Sequence, residues 1–246
     1  YHIDELVELA KQYFSEAGPT REMAASCLAW WLSRPDLEMT HLTSFQQWAD
    51  LALQEYLNTP SDIMKTMGVL QTITTILKVS TSDRSNLLRF VTPLWPAMAK
   101  LTETKPNNLL LRKYLIKWWT RIGTLYMPPR VVSWRYQRGC RSLKENLMRS
   151  TNVTREPKSA IEMSTKIRHP TPEQYELFLV PDQVEDAIGE VISGLSDPST
   201  IVRWSAAKGV GRITERLPAI CSDDVLDAIL KLFDDREKDN DWHGGC

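Results

Sequence analysis

The sequence predicts an all-α fold, an α-solenoid in which helical hairpins stack side by side. Apolar residues recur at steps of three and four along most of the 246 residues, which is the spacing of one helix face. Alternating strand patterns are scarce. Hairpins begin near positions 3, 41, 83, 182 and 222, with separations of roughly 38, 42 and 40 residues where the count is uninterrupted. Each hairpin then needs its neighbours to cover its apolar faces.

The first hairpin is defined by two apolar rows and by the residues between them. The rows cover residues 3–14 and 24–32, and a Gly-Pro pair separates them. Thr20 is the predicted N-cap of the second helix. Pro35 predicts its end, since the residue before a proline is pushed out of the helical region.

The second hairpin repeats this plan. Its apolar rows cover residues 45–56 and 63–77. Asp62 lies between them in a Pro-Ser-Asp turn and is the predicted cap of the second row. The repetition indicates that one structural unit recurs along the chain.

The clearest hairpin lies in the last sixty residues. Its first helix is predicted from the apolar row over residues 184–195, and residues 196–200 form the turn. Its second helix has five apolar residues on one face: Val202, Ala206, Val210, Ile213 and Leu217. Four small residues are predicted to leave room for a closely packed partner helix: Ala206, Ala207, Gly209 and Gly211.

The predicted organisation is helical repeats at residues 1–149, a proline-rich loop at 150–181 and further repeats at 182–246. The loop contains four prolines and no sustained helical face. It is either a flexible linker or a segment that docks on the solenoid or on a partner. The chain begins without methionine and ends inside a segment that looks unfinished, so we expect a piece of a longer protein, truncated at its C-terminus.

Composition excludes several classes of protein. A hydrophobic share of 42%, a charged share of 25% and a formal net charge of −1 exclude a disordered chain or a polyelectrolyte. There is no uninterrupted run of about 18 apolar residues and no basic leader with an apolar segment, so we expect a soluble chain. The four cysteines lie far apart without a CxxC pair, which argues against a disulfide framework and favours the reducing cytosol.

Motifs for catalysis and cofactor binding are missing from the sequence. Gly209 and Gly211 form a GxG, but Thr214 stands where a dinucleotide loop needs its third glycine, and no strand precedes it. The sequence has no GxxxxGK[ST] run, no HExxH and no GxSxG. Cys140 lies among cations, yet we expect a thiol buried at a helix interface. We therefore expect a binding protein that is not an enzyme and has no cofactor or metal site.

Basic side chains are concentrated between residues 109 and 149. This sixth of the chain holds ten of its 30 lysines and arginines with one acidic residue, whereas residues 181–197 hold five acids and no base. Such a basic stripe attracts an acidic partner over a Debye length of about 8 to 10 Å. The alternative is a solvated face combined with Asp-Arg pairs between repeats.

Tryptophan and tyrosine alternate with these cations, as in the hot spots of protein interfaces. Nucleic-acid binders share this composition, because bases stack on aromatic rings while cations neutralise phosphate. Adjacent helical positions diverge by about 100°, so at least one of Trp118 and Trp119, and at least one of Trp30 and Trp31, should lie at a boundary or surface. The predicted partner-binding residues are Arg112, Lys113, Lys117, Trp119, Trp134, Arg135, Tyr136, Arg138 and Arg141.

Several segments carry a family resemblance. DPSTIVRWSAAKGVGRI at residues 197–213 resembles the HEAT-repeat pattern, in which an Asp opens the turn and a Val-Arg pair begins the second helix. Within it, Arg203 is expected to be structural and to pair with Asp197 or with an acid of a neighbouring repeat. VRWSAAKGVGRITERLP, WRYQRGCRSL, DWHGGC, LSRPDLE and LLRK together resemble the family of tubulin-folding cofactor D, the tubulin-specific chaperones.

The resemblance implies a HEAT-repeat chaperone that captures β-tubulin after the cytosolic chaperonin. It further implies that the protein joins other tubulin-folding cofactors and an Arf-like small GTPase, and builds or dismantles the αβ-tubulin heterodimer. With these partners the family stimulates GTP hydrolysis by tubulin. We accordingly expect a cytoplasmic protein associated with the microtubule cytoskeleton, without a membrane partner. A nucleic-acid-binding solenoid and a transport-type adaptor are alternatives on the same fold.

Overall fold

The computed structural model of the protein describes residues 3–37, 39–60, 62–80, 83–127, 180–234 and 239–246. The regular secondary structure in these ranges is helical, with no strand among them, which confirms the predicted all-α fold. None of the described helices is both long enough and apolar enough to cross a membrane. The described residues belong to one of the two compact units of the chain, and the other unit, residues 129–179, lies outside them.

Where the sequence predicts a hairpin to begin, near positions 3, 41, 83, 182 and 222, a helix begins within three residues, and these five helices are among the α-helices of the described residues. The described α-helices are α1 (Ile3–Gln12), α2 (Pro19–Leu32), α3 (Met39–Asn58), α4 (Ile63–Val79), α5 (Arg84–Val91), α6 (Trp95–Glu103), α7 (Leu109–Tyr126), α8 (Asp182–Ser193), α9 (Thr200–Thr214), α10 (Ala219–Leu230) and α11 (Asp239–Gly245). Short 3-10 turns follow four of them: Tyr13–Ser15, Thr92–Leu94, Gly194–Ser196 and Lys231–Phe233.

The helices stack as pairs. We call the second helices of successive hairpins the B layer: α2, α4, α7, α9 and α11 pack side by side in that order. The first helices, which we call the A layer, lie against them; α3 packs on α4 and α6, and α8 packs on α7 and α9. Residues 127–181 separate α7 from α8 in the sequence, yet the stack passes directly from one to the other. This arrangement is the predicted α-solenoid.

Local side chains explain where the helices begin. Asp62, the predicted cap of α4, accepts a hydrogen bond from the backbone N–H of Lys65 at 2.8 Å. The side chain of Asn108 accepts two such bonds at the start of α7, at 2.9 and 3.1 Å. The prediction of Thr20 as a cap is wrong, because α2 begins at Pro19 after a glycine with φ 79°. Proline fits the first helical position, where no N–H is needed.

The position of α7 contradicts one expectation about the tryptophans. Trp118 and Trp119 are 0% and 3% exposed, so neither lies at a boundary or surface. Both are covered because α4 and α9 flank α7 while α6 and α8 pack behind it. For the other pair the expectation is confirmed, since Trp30 is 62% exposed and Trp31 is partly buried.

The close contact between α7 and α9 depends on Gly209, which has no side chain. A Cβ atom added at Gly209 would overlap the Thr120 hydroxyl and would lie 2.9 Å from Cγ1 of Val191. The prediction that small residues leave room for a partner helix is therefore confirmed at Gly209. It is wrong at Gly211, where an added Cβ would meet no atom within 4 Å.

Candidate partner-binding surface

The solvent-facing row of α7 consists of cations. Across residues 111–122, every side chain is buried except those of Arg112, Lys113, Lys117 and Arg121, which are partly buried. The other faces of the helix pack against its neighbours in both layers. The stems of these cations therefore lie among packed side chains, as is usual for long charged side chains at a helix surface.

An equivalent row lies on α9, the next helix of the B layer. Its exposed residues are spaced four apart: Trp204, Lys208 and Arg212. Measured from the N-cap residue of each helix, they occupy the positions that Lys113, Lys117 and Arg121 occupy in α7. We name the five cations of these two rows the basic strip: Lys113, Lys117, Arg121, Lys208 and Arg212.

Two glycines keep the rows of the basic strip side by side. Gly209 of α9 lies against Thr120 of α7, and Gly123 of α7 lies against Ile213 of α9. From the first contact to the second, the residue number increases in both helices, so α7 and α9 run parallel. The strip is therefore a continuous surface across two repeats.

The charges of the basic strip are not neutralised by the described part of the chain. No carboxylate of those residues forms an ion pair with any of its five cations. Lys208 Nζ lies 3.3 Å from the ring centroid of Trp204, and Lys117 Nζ lies 4.9 Å from that of Tyr114. These cation–π contacts orient the two ammonium groups without cancelling their charge.

The environment of Lys117 disfavours its charged form. Burial is the main cause that lowers the pKa of this lysine to about 8. Three neighbouring cations lower the pKa further: Lys113, Arg121 and Lys78. The Glu22 carboxylate acts in the opposite direction. Burial is also the main cause that lowers the pKa of Arg121, and the neighbouring Arg212 and Arg216 lower it further. A negatively charged ligand would relieve this repulsion.

Arg112, one of the predicted partner-binding residues, instead joins two repeats. Its Nε and Nη2 donate to the carboxylate of Asp197 at 2.7 and 3.3 Å, and its Nη1 donates to two carbonyls of the turn before α7. Arg203 has the equivalent place in α9, where it donates to the Asp197 carbonyl at 2.6 Å and to Asn240 Oδ1 at 2.9 Å. The structural role expected of Arg203 is confirmed, but it pairs with a carbonyl because Arg112 holds the Asp197 carboxylate.

Trp119 also lies away from the basic strip. Its Nε1 donates to the hydroxyl of Thr102 at 3.0 Å, and its ring meets Trp95 edge-on at 5.2 Å. It belongs to the interior between α6 and α7, so we leave it out of the candidate surface. Lys113 and Lys117 are the predicted residues that the strip contains. Five of the predicted partner-binding residues, together with Cys140, lie outside the described residues: Trp134, Arg135, Tyr136, Arg138 and Arg141.

Two further arginines near the strip are occupied by the end of α7. Arg84 Nη2 donates to the carbonyl of Tyr126 at 2.5 Å, and Arg216 Nη1 donates to the carbonyls of Thr124 and Met127. These are the free carbonyls at a helix C-terminus, where positive charge is favourable. Both side chains therefore stabilise α7 at the point where the chain leaves it.

Two protein-family models match the sequence of the chain. Residues 110–246 match the family described as "Tubulin-specific chaperone D-like, ARM repeats", and residues 2–53 match a second family, "Tubulin-specific chaperone D-like, ARM repeat". The chain belongs to the tubulin-specific chaperone D-like family. The family description names ARM repeats where the sequence pattern resembles HEAT repeats, and both are stacked helical repeats that form an α-solenoid.

Curated relatives agree with the family assignment. The chain is 24% identical to "Tubulin-specific chaperone D" of Dictyostelium discoideum over 98% of its own length, and 29% identical to "Tubulin-folding cofactor D" of Schizosaccharomyces pombe over 52% of its length. It spans 17% and 9% of these two proteins. Among solved structures, an engineered protein overlays on 100% of the chain and on 76% of its own, with a TM-score of 0.48 and 13% identity.

The basic strip lies entirely within the stretch that matches the chaperone D-like family. Its α9 half was missed by reasoning from the sequence, which followed the ten basic residues between positions 109 and 149 and not the three at residues 200–214: Arg203, Lys208 and Arg212. The signal that would have found Lys208 and Arg212 is their spacing from the N-cap, which matches the spacing in α7. In the described ranges, no group of three histidine, cysteine, aspartate or glutamate side chains is placed to hold a metal ion.

Proposed function

We propose that this chain is a scaffold segment of a tubulin-specific chaperone and that it binds β-tubulin during the folding that follows the chaperonin. In this proposal the segment acts with partner cofactors and an Arf-like small GTPase in assembling or dismantling the αβ heterodimer. It contributes with them to stimulating GTP hydrolysis by tubulin, and it has no active site of its own. Its location is the cytoplasm, in association with the microtubule cytoskeleton. The observation that carries the proposal is the family match over residues 110–246.

Physical features of the chain support binding in place of chemistry. Stacked helices with a packed interior form a preorganised surface, so little conformational entropy is lost when a partner docks. The cations of the basic strip, and those between residues 130 and 149, would attract an acidic client such as tubulin and increase its association rate. The expected signature is an affinity that falls as salt concentration rises.

The experiment measures binding of purified αβ-tubulin to the immobilised chain at low and at physiological salt. The test variant replaces three arginines of the sequence-predicted stripe with glutamate: Arg135, Arg138 and Arg141. A control variant makes the same change of charge at three exposed cations of the A-layer side: Arg89, Lys100 and Lys231.

We expect salt-sensitive binding that weakens about tenfold in the test variant and less than about twofold in the control. A wild-type chain that does not bind tubulin at low salt would overturn the proposed function. Equal affinity of the wild type and the test variant would remove the three arginines from the contact.

A further inference from the structure

We propose that the basic strip is a docking site for an extended acidic protein segment, which crosses α7 and α9 and places its carboxylates on the five cations. The surface exists independently of the proposed function. Only the identification of the segment as part of a tubulin-related client rests on that function.

The spacing of the strip fits an extended chain. Cations four residues apart on a helix are separated by about 6 Å along its axis, and packed helices lie about 8 to 10 Å apart. In an extended chain, side chains on one side recur every second residue, at about 6.6 to 6.8 Å. Glutamates or aspartates at alternate positions therefore reach cations of both rows without bending the chain.

The depth of the strip also selects a narrow ligand. Lys113, Lys117 and Arg121 are partly buried on α7, whereas Lys208 and Arg212 are exposed on α9. A carboxylate on a flexible side chain can reach both the partly buried cations and the exposed cations. A flat folded surface would meet the exposed α9 cations more readily than the partly buried α7 cations, so an extended segment completes more of the available ion pairs.

The chemistry of the strip favours carboxylates over nucleic acid. Sequence-tolerant binding of single strands needs several aromatic rings on which successive bases stack. Trp204 is the one exposed aromatic side chain that borders the strip among the described residues, because the Tyr114 ring next to Lys117 is buried. The Lys208 ammonium already lies 3.3 Å from the centroid of the Trp204 ring. The strip therefore offers charge without a row of stacking platforms.

Binding of a carboxylate also removes an unfavourable electrostatic free energy that the strip has without a ligand. Lys117 is held among like charges and packed side chains, with its ammonium near Lys113, Arg121 and Lys78. A carboxylate from the docked segment supplies the ion pair that no described carboxylate forms with Lys117. The gain is greatest for the partly buried α7 row, where solvent screens charge least.

The test measures binding of a fluorescent peptide of about ten residues with glutamate at alternate positions, which spans about 33 Å when extended. Its control is the same peptide with glutamine in place of glutamate. The first protein variant is Lys208→Glu with Arg212→Glu, both on the exposed row; the second is Lys117→Gln with Arg121→Gln. Arg89→Glu with Lys231→Glu is the control and matches the first variant in its change of charge, and thermal unfolding checks that each variant folds.

We expect the glutamate peptide to bind at low salt and the glutamine peptide not to bind. Affinity should fall at least about tenfold in both strip variants and less than about twofold in the control. No binding of the glutamate peptide at low salt, or equal affinity in the strip variants, would overturn the inference. So would tighter binding of a uridine oligonucleotide that the same variants abolish, because the strip would then be a nucleic-acid site.

Parallel measurements with tubulin separate this inference from the proposed function. Binding of the peptide without binding of tubulin would leave the docking site standing and would overturn the proposed function. Binding of tubulin without binding of the peptide would overturn the docking site and leave the proposed function standing. Loss of both peptide and tubulin binding in the strip variants, with the control intact, would support both.

Discussion

The ammonium group of Lys117 illustrates how single residues of the basic strip differ from ordinary surface lysines. Burial and three neighbouring cations lower its pKa to about 8, so it loses its proton within the range of ordinary buffers. In the unfolded chain the same group keeps its usual pKa near 10.4. Between these two values the folded state binds fewer protons than the unfolded state, and stability therefore rises with pH.

We predict that the pH dependence of stability reports this lysine. From pH 7.5 to 9.5, the free energy of unfolding should increase more in the wild type than in Lys117→Gln, which has no proton to lose at this position. Urea unfolding at the two pH values measures the difference, and the comparison cancels groups that titrate in both proteins. The same pH slope in the two proteins would contradict the lowered pKa.

At the scale of helices, the distance between α7 and α9 decides whether the two rows of cations form one surface. Gly209 permits the close approach, because its missing side chain leaves room for Thr120 and Val191. Gly211 lies on the exposed side of the same helix with no atom within reach of an added Cβ. The two glycines are a matched pair, since alanine favours helix formation equally at both positions.

We predict opposite effects of alanine at these two glycines. Gly209→Ala should destabilise the protein by about 1 to 3 kcal/mol, since the added methyl forces apart packed helices. Gly211→Ala should stabilise it by about 0.5 to 1 kcal/mol, because alanine is the better helix former and meets no neighbour. Thermal unfolding followed by circular dichroism measures both. Destabilisation of equal size in the two variants would show that Gly209 does not set the helix spacing.

Local signals also explain which elements were predictable. Asp62 and the apolar row after it place α4 without knowledge of any other helix, because a cap and an amphipathic face are properties of neighbouring residues. The burial of both Trp118 and Trp119 was not predictable in this way. It depends on how many helices surround α7, which is a property of the stack.

At the scale of the whole molecule, stacking turns dispersed residues into a surface. The concentration of charge between residues 109 and 149 was visible in the sequence, and it drew attention to α7. It did not show that Arg112 is held by Asp197, since these residues are 85 positions apart. Nor did it show that Lys208 and Arg212 extend the α7 row, because that requires the register between repeats.

We propose that the B-layer cations of this chaperone D-like chain meet the carboxylates of tubulin. Zero-length carbodiimide crosslinking of the complex, followed by mass spectrometry, tests it most directly because it joins only lysines and carboxylates in contact. We predict crosslinks from tubulin carboxylates to Lys113, Lys117 and Lys208 and few to Lys100 and Lys231. Crosslinks confined to Lys100 and Lys231, with none on the basic strip, would contradict the claim.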